Sequence, residues 1–143
     1  MFIGEYHHNL DAKGRIILPV KFREELHETV IVTRGLDGCL NVYTLDAWQQ
    51  IYEKLLTLPT TNKDARMYVR MLTAKACECA FDSQGRILLP MNLIQEAAIE
   101  KEAVVVGAAN HVEIWSEARW NSFEEEGNEN LEAIAERLSS FGI

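Results

Sequence analysis

LDAKGRIILPVKFREEL, residues 10–26, and FDSQGRILLPMNLIQEA, residues 81–97, are the same sentence written twice. A shift of 71 positions lays Asp11 on Asp82, Gly14 on Gly85, Arg15 on Arg86, Leu18 on Leu89 and Pro19 on Pro90. After a one-residue slip the echo continues, Val42-Tyr43-Thr44 matching Ile114-Trp115-Ser116 and Trp48 matching Trp120. A period of this length exceeds the 20–50 residues of solenoid repeats, so it marks a duplicated module. The part repeated most faithfully is a polar turn, D-x-x-G-R.

Around that turn each half reads β-turn-β-helix-β-turn-β-helix. Phe2–His7 is a short strand, Asp11–Arg15 a turn, and Arg15–Leu18 a β-branched strand. Pro19 lacks an N–H and suits the first turn of a helix over Val20–Leu26. Strands follow at Thr29–Thr33 and Leu40–Tyr43, and Thr44 is positioned to cap a helix that ends at Pro59. The cluster Thr60-Thr61-Asn62 opens a second helix through Leu72. The second half repeats the plan with strands at Ala76–Phe81, Arg86–Leu89, Ala103–Gly107 and Val112–Trp115. A helix starts from Ser116, and a last amphipathic stretch spans Asn130–Phe141. This divides the chain into a first module (1–58), a linker helix (59–75), a second module (76–123) and an acidic C-terminal helix (124–143). About four short strands bury too little for either half to stand alone. The halves are expected to merge into one interlaced α+β, mainly β structure with a pseudo-two-fold axis, a covalent dimer in effect.

Composition narrows the function. The chain has 143 residues, 48% of them hydrophobic, and no apolar run near the ~18 residues of a membrane span. The N-terminus does not resemble a signal peptide, and Cys39, Cys77 and Cys79 are read as plain reduced thiols of a cytoplasmic protein. The four histidines are scattered, so neither a metal nor a cofactor is expected. The net charge of −8 belongs wholly to one end: residues 1–80 hold 10 basic and 10 acidic residues, residues 81–143 hold 4 and 12. The first half is therefore free to meet a polyanion.

In the turn, Asp11 and Asp82 can accept backbone N–H groups and Gly14 and Gly85 can supply a positive φ. These four are read as loop-builders. Lys13 and Arg15 go beyond what a turn needs, and a cationic apex of this kind fits a major groove. Arg86 plays the same part in the second loop, where Ser83-Gln84 replaces Ala12-Lys13. Lys21 and Arg23, on the helix after Pro19, are further candidates for DNA contact. No G-x-S-x-G, paired Cys/His or glycine-rich phosphate loop points to an enzyme.

Four stretches are similar to the MraZ family: MFIGEYHHNLDAKGRIILPVKFREEL, TRGLDGCLNVY, the linker helix with KDARMYVR, and ECAFDSQGRILLP with VVVGAANHVEIWSEARW. The likeness spans almost the whole chain. It implies two tandem AbrB-like swapped-hairpin domains in a barrel-like sheet with peripheral helices. It also implies a sequence-specific, nucleoid-associated DNA-binding regulator, usually a repressor, of the division and cell-wall gene cluster. Ring-like homo-oligomers that engage repeated boxes in double-stranded promoter DNA come with it. By position the resemblance gives Lys13, Arg15 and Arg86 the DNA contacts, and gives Asp11 and Asp82 the shaping of the loops. The competing reading is a protein-interaction or antitoxin-like module that works through the linker helix or the acidic tail.

Overall fold

The computed structural model describes residues 1–143. Eight strands and five α-helices follow in the order β1 (Glu5–Asn9), β2 (Arg15–Ile17), α1 (Val20–Leu26), β3 (Thr29–Arg34), β4 (Leu40–Thr44), α2 (Leu45–Leu56), α3 (Lys63–Thr73), β5 (Cys77–Ala80), β6 (Arg86–Leu88), α4 (Met91–Glu96), β7 (Glu102–Gly107), β8 (Val112–Ser116) and α5 (Glu117–Arg137). The α+β, mainly sheet character expected from the repeat is borne out.

Interlacing is complete. The main sheet has six strands in the order β1-β7-β8-β4-β3-β5, and β2 pairs with β6 in a separate two-stranded ribbon. Every strand of the first half therefore has an antiparallel partner in the second: β1 with β7, β2 with β6, β3 with β5 and β4 with β8. Exchanging the halves reverses the strand order and leaves it unchanged, which is the pseudo-two-fold axis in topological form. The axis passes through the β4·β8 and β2·β6 pairs. No sheet closes on itself: β1 and β5 are open edges, so the barrel-like detail is not found.

Alternation along the strands sorts the core. Val30, Val32, Leu40, Val42, Val105, Val112 and Ile114 face a single cluster that also takes Ile16 and Ile87 from the ribbon and Phe22, Leu26 and Leu93 from α1 and α4. The ribbon and its two short helices thus lie across one face of the six-stranded sheet. The opposite face carries a smaller cluster of Cys39, Val104 and Trp115 with Trp120 of α5 against it. Trp115 and Trp120 meet edge to face at 5.4 Å, so Trp120 anchors the long helix. Burying each Val, Leu, Ile or Phe side chain of the main cluster contributes roughly 1.5–3 kcal/mol.

Helix starts agree with the capping residues in the sequence. Thr44, Asn62 and Ser116 each accept a hydrogen bond from the backbone N–H three residues on, at 3.0, 2.9 and 3.2 Å. The tail differs from expectation. Where the sequence suggested a helix from Ser116 and a separate amphipathic segment from Asn130, α5 is one continuous helix of 21 residues with Gly127 inside it. Nothing beside Gly127 requires a glycine, and one glycine costs a helix only about 1 kcal/mol. The expected first strand begins later, at Glu5, and Phe2 instead makes an isolated bridge to Ala109.

Candidate nucleic-acid interface

Each D-x-x-G-R loop is built round its aspartate. Asp11 Oδ1 accepts the backbone N–H of Lys13 at 3.0 Å and of Arg15 at 2.8 Å, while Oδ2 accepts Arg15 Nε–H at 2.7 Å. Asp82 repeats this with Gln84 N–H at 2.9 Å, Arg86 N–H at 2.9 Å and Arg86 Nε–H at 2.7 Å. The backbone bond from Arg15, then its guanidinium and the Lys13 N–H, hold the Asp11 carboxyl below the ordinary carboxylate range. Arg86 and the Gln84 N–H do the same for Asp82. Gly14 (φ +87°) and Gly85 (φ +77°) turn the chain in the left-handed region. The loop-building assignment of these four residues thus has a geometric basis.

The arginines also serve the turn, although a turn of this kind does not require them. Their side chains are neither buried nor free, at 30% exposure for Arg15 and 21% for Arg86. Each spends its Nε–H on its own aspartate and leaves its two Nη groups without a hydrogen bond inside the chain. A guanidinium fixed at Nε and open at Nη is preorganised for a bidentate acceptor, whether phosphate or guanine O6/N7.

The two loops do not sit on simple hairpins. Asp11 N–H closes the turn on Arg15 C=O at 2.9 Å, after which β1 leaves for β7 and β2 for β6. In the ribbon Arg15 stands opposite Leu88, and Ile17 opposite Arg86. Because Ile16 and Ile87 point inward at 0% exposure, the outer face carries Arg15, Ile17, Arg86 and Leu88 together. A pair of strands three residues long spans about 10 Å, inside the ~12 Å width of a major groove. The sequence reading missed Ile17 and Leu88, although strict alternation through Arg15-Ile16-Ile17 signals that the first and third residues share a face.

Other candidates are placed less evenly. Lys13 is exposed at the apex of the first loop, and Lys21 is exposed on α1. Arg23 is half-buried and turned back, its Nε–H donating to Leu18 C=O at 2.9 Å. Its guanidinium covers Gly85 so closely that a Cβ there would collide with it. Ile94, the pseudo-symmetric counterpart of Arg23, covers Gly14 instead, at 3.1 Å from the place a Cβ would take. One loop is thus backed by a cation and the other by a hydrocarbon.

Comparison with known proteins places the chain in a family. A family profile described as "MraZ protein, putative antitoxin-like" matches residues 1–71 and again residues 72–141. The chain belongs to the MraZ family. A protein of Lactobacillus gasseri, named transcriptional regulator MraZ, is 52% identical over all 143 residues of both chains. A protein of Pediococcus pentosaceus with the same name is 51% identical over the same full length. Within this family the two matched segments coincide with the two halves of the interlaced fold, each contributing one D-x-x-G-R loop to the ribbon face.

Proposed function

We propose that the chain is a transcription regulator that binds double-stranded promoter DNA directly. It does so by setting the outer face of the β2·β6 ribbon, with its two loops, into the major groove. The observation that carries this reading is the pair of arginines, each clamped at Nε by an aspartate and with no hydrogen bond at Nη. Arg15 and Arg86 read or clamp, Lys13 and Lys21 hold phosphates, and Arg23 supports the second loop from behind. Ile17 and Leu88, exposed between the arginines, suit the methyl groups of thymine.

One ribbon touches few phosphates, and affinity built on few charges is weak at physiological salt. A ring of protomers raises it by effective concentration, and repeated boxes in the operator are the matching target. Exposed apolar residues on the helices support self-assembly: Met67, Tyr68 and Met71 on α3, and Leu131 on α5. The two helices carry opposite charge, three basic residues against one acidic in α3 and two against seven in α5. Repression of the division and cell-wall gene cluster that encodes the protein, in the nucleoid, is the physiological role we assign. Footprinting the purified protein on DNA upstream of its own gene tests it. Protected, evenly spaced repeats are expected, and uniform protection of any duplex would leave only nonspecific binding.

A further inference from the structure

Cys77 and Cys79 lie two residues apart on β5 and so share a face of the strand. Their sulfurs are 4.0 Å apart. Cys79 is buried against β6, its Sγ 3.6 Å from Leu88 C=O, while Cys77 is partly open to solvent. Both thiols line a cleft of about 490 Å³ with apolar walls from Leu88, Pro90 and Ile94, and Lys13 of the first loop reaches the same cleft. From the sequence these cysteines are plain reduced thiols; the alternation of side chains along β5 brings them together.

A disulfide is a poor use of this pair. Two residues in an extended strand put the Cα atoms about 6.8 Å apart, the upper edge of what a bridge tolerates. Tetrahedral zinc is excluded on different grounds: it asks for four donors, and no group of three or more His, Cys, Asp or Glu side chains converges anywhere in the chain. A soft monovalent ion asks for less. A metal held by two thiolates alone is linear, so with sulfur–metal bonds of roughly 2.3 Å, the zinc–thiolate value, the 4.0 Å gap between the sulfurs must open by about 0.6 Å, which rotation of the partly exposed Cys77 side chain can supply. Soft thiolate donors favour Cu(I), zinc and iron–sulfur clusters, and of these only Cu(I) is served by two donors.

We propose that Cys77 and Cys79 form a two-thiolate site for a soft monovalent cation of the Cu(I) type, and that its occupancy weakens DNA binding through Lys13. The second clause rests on the DNA-binding reading above; the first does not. Binding is an exchange without change of oxidation state: two thiols and one M⁺ give one bis-thiolate complex and two released protons. The complex carries one net negative charge in an apolar cleft. Lys13 is the cation lining that cleft and Glu78 the only carboxylate, so the ammonium is drawn inward, away from a phosphate. β5 also ends two residues before Asp82, which ties the site to the second loop.

The test is a Cu(I) titration of the full chain under argon against a chromophoric Cu(I) chelator, followed by duplex binding with and without the metal. One Cu(I) per chain with release of two protons is expected, kept in Cys39→Ser and lost in both Cys77→Ser and Cys79→Ala, with circular dichroism confirming that each variant is folded. No competition with the chelator, or one-to-one binding that survives in Cys77→Ser, overturns the site. Promoter affinity of the wild type is expected to fall several-fold on metal loading and to stay constant in Cys77→Ser. Unchanged affinity of the loaded wild type overturns the regulatory clause. A metal-free protein that binds no duplex at all would instead refute the DNA-binding reading and leave the site standing.

Discussion

Arg86 serves both loops: its Nε–H is bound to Asp82 at 2.7 Å, and its Nη1 lies 3.9 Å from Asp11 Oδ2 in the other half of the repeat. The longer distance is an electrostatic contact rather than a hydrogen bond. It nevertheless couples the two loops across the ribbon, so that the two apices are positioned as one unit. Arg15 has no equivalent reach, which gives the pseudo-symmetric pair unequal duties.

The inequality predicts the effects of two substitutions. Arg15→Ala removes one outward guanidinium and should lower promoter affinity about ten- to a hundredfold, the range for a lost bidentate base contact. Arg86→Ala should cost at least as much, because Asp11 loses a neighbouring cation as well. Gel filtration should be unchanged for both. Equal promoter shifts by wild type and Arg15→Ala would refute the assignment of the ribbon face.

Lys13 is a different kind of contact. An exposed ammonium at a loop apex meets phosphate without reading sequence, so Lys13→Ala should weaken all duplexes alike. The slope of log affinity against log salt should become shallower by about 0.9 for each Lys13 that held a phosphate. A change confined to the specific operator, with the slope intact, would make Lys13 a base reader instead.

The aspartates predict an acid limb. Both carboxyls have a folded-state pKa held below the ordinary carboxylate range, first by the arginine backbone N–H that each one accepts. Their contribution is complete above the ordinary carboxylate value of about 3.9 and is lost as pH falls through the lower folded value. Carboxyl-carbon NMR should find Asp11 and Asp82 titrating below the other aspartates, and loop amides broadening only once that range is reached. An ordinary titration for either would mean that its loop is not stapled in solution.

Gly85 and Arg23 should behave as a pair. Gly85→Ala places a side chain in the left-handed region, a cost of about 1–2 kcal/mol, and drives it into the Arg23 guanidinium. Truncating that guanidinium relieves the second part only. Thermal melts of Gly85→Ala, Arg23→Ala and the double variant should show clear non-additivity, with the double variant more stable than the sum of the singles implies. At Gly14 the same alanine meets Ile94 at the milder 3.1 Å, and coupling to Ile94 should be smaller.

Charge reversal probes assembly. Arg66→Glu with Arg70→Glu turns α3 acidic and should repel α5 of a neighbouring copy, shifting light-scattering mass toward the single chain. The loops would stay intact, so short single-site duplexes should bind nearly as before while repeated operators lose avidity. An unchanged mass would take the α3 face out of the assembly.

Much of this architecture was legible in the residues, for definite reasons. The echo of residues 10–26 in 81–97 fixed two equivalent turns, and Thr44, Asn62 and Ser116 placed three helix starts because a hydroxyl or amide three residues ahead of an N–H leaves little freedom. Pairing was less accessible. Nothing local in Arg15-Ile16-Ile17 says that its partner is Arg86–Leu88 rather than β1, since register across 70 residues is decided by the shared core and not by the turn. The same blindness hid the backing of Gly85 by Arg23, a product of side chains meeting from distant segments, whereas the sulfur pair on β5 follows from strand alternation alone. Gly127 and the glutamates around it weaken the apolar periodicity that would join the two stretches of α5 in the sequence.

The crossed strand order has a consequence for synthesis. β1 is complete by Asn9, yet its partner β7 begins at Glu102. At about 5–20 residues per second, the ribosome leaves that edge unmatched for roughly 5–20 seconds. A nascent chain in this condition offers its bare edge to any sister emerging from the same polysome. Exchange of halves between two copies would satisfy every hydrogen bond equally well, so dilution during refolding should decide how much of the product is tangled.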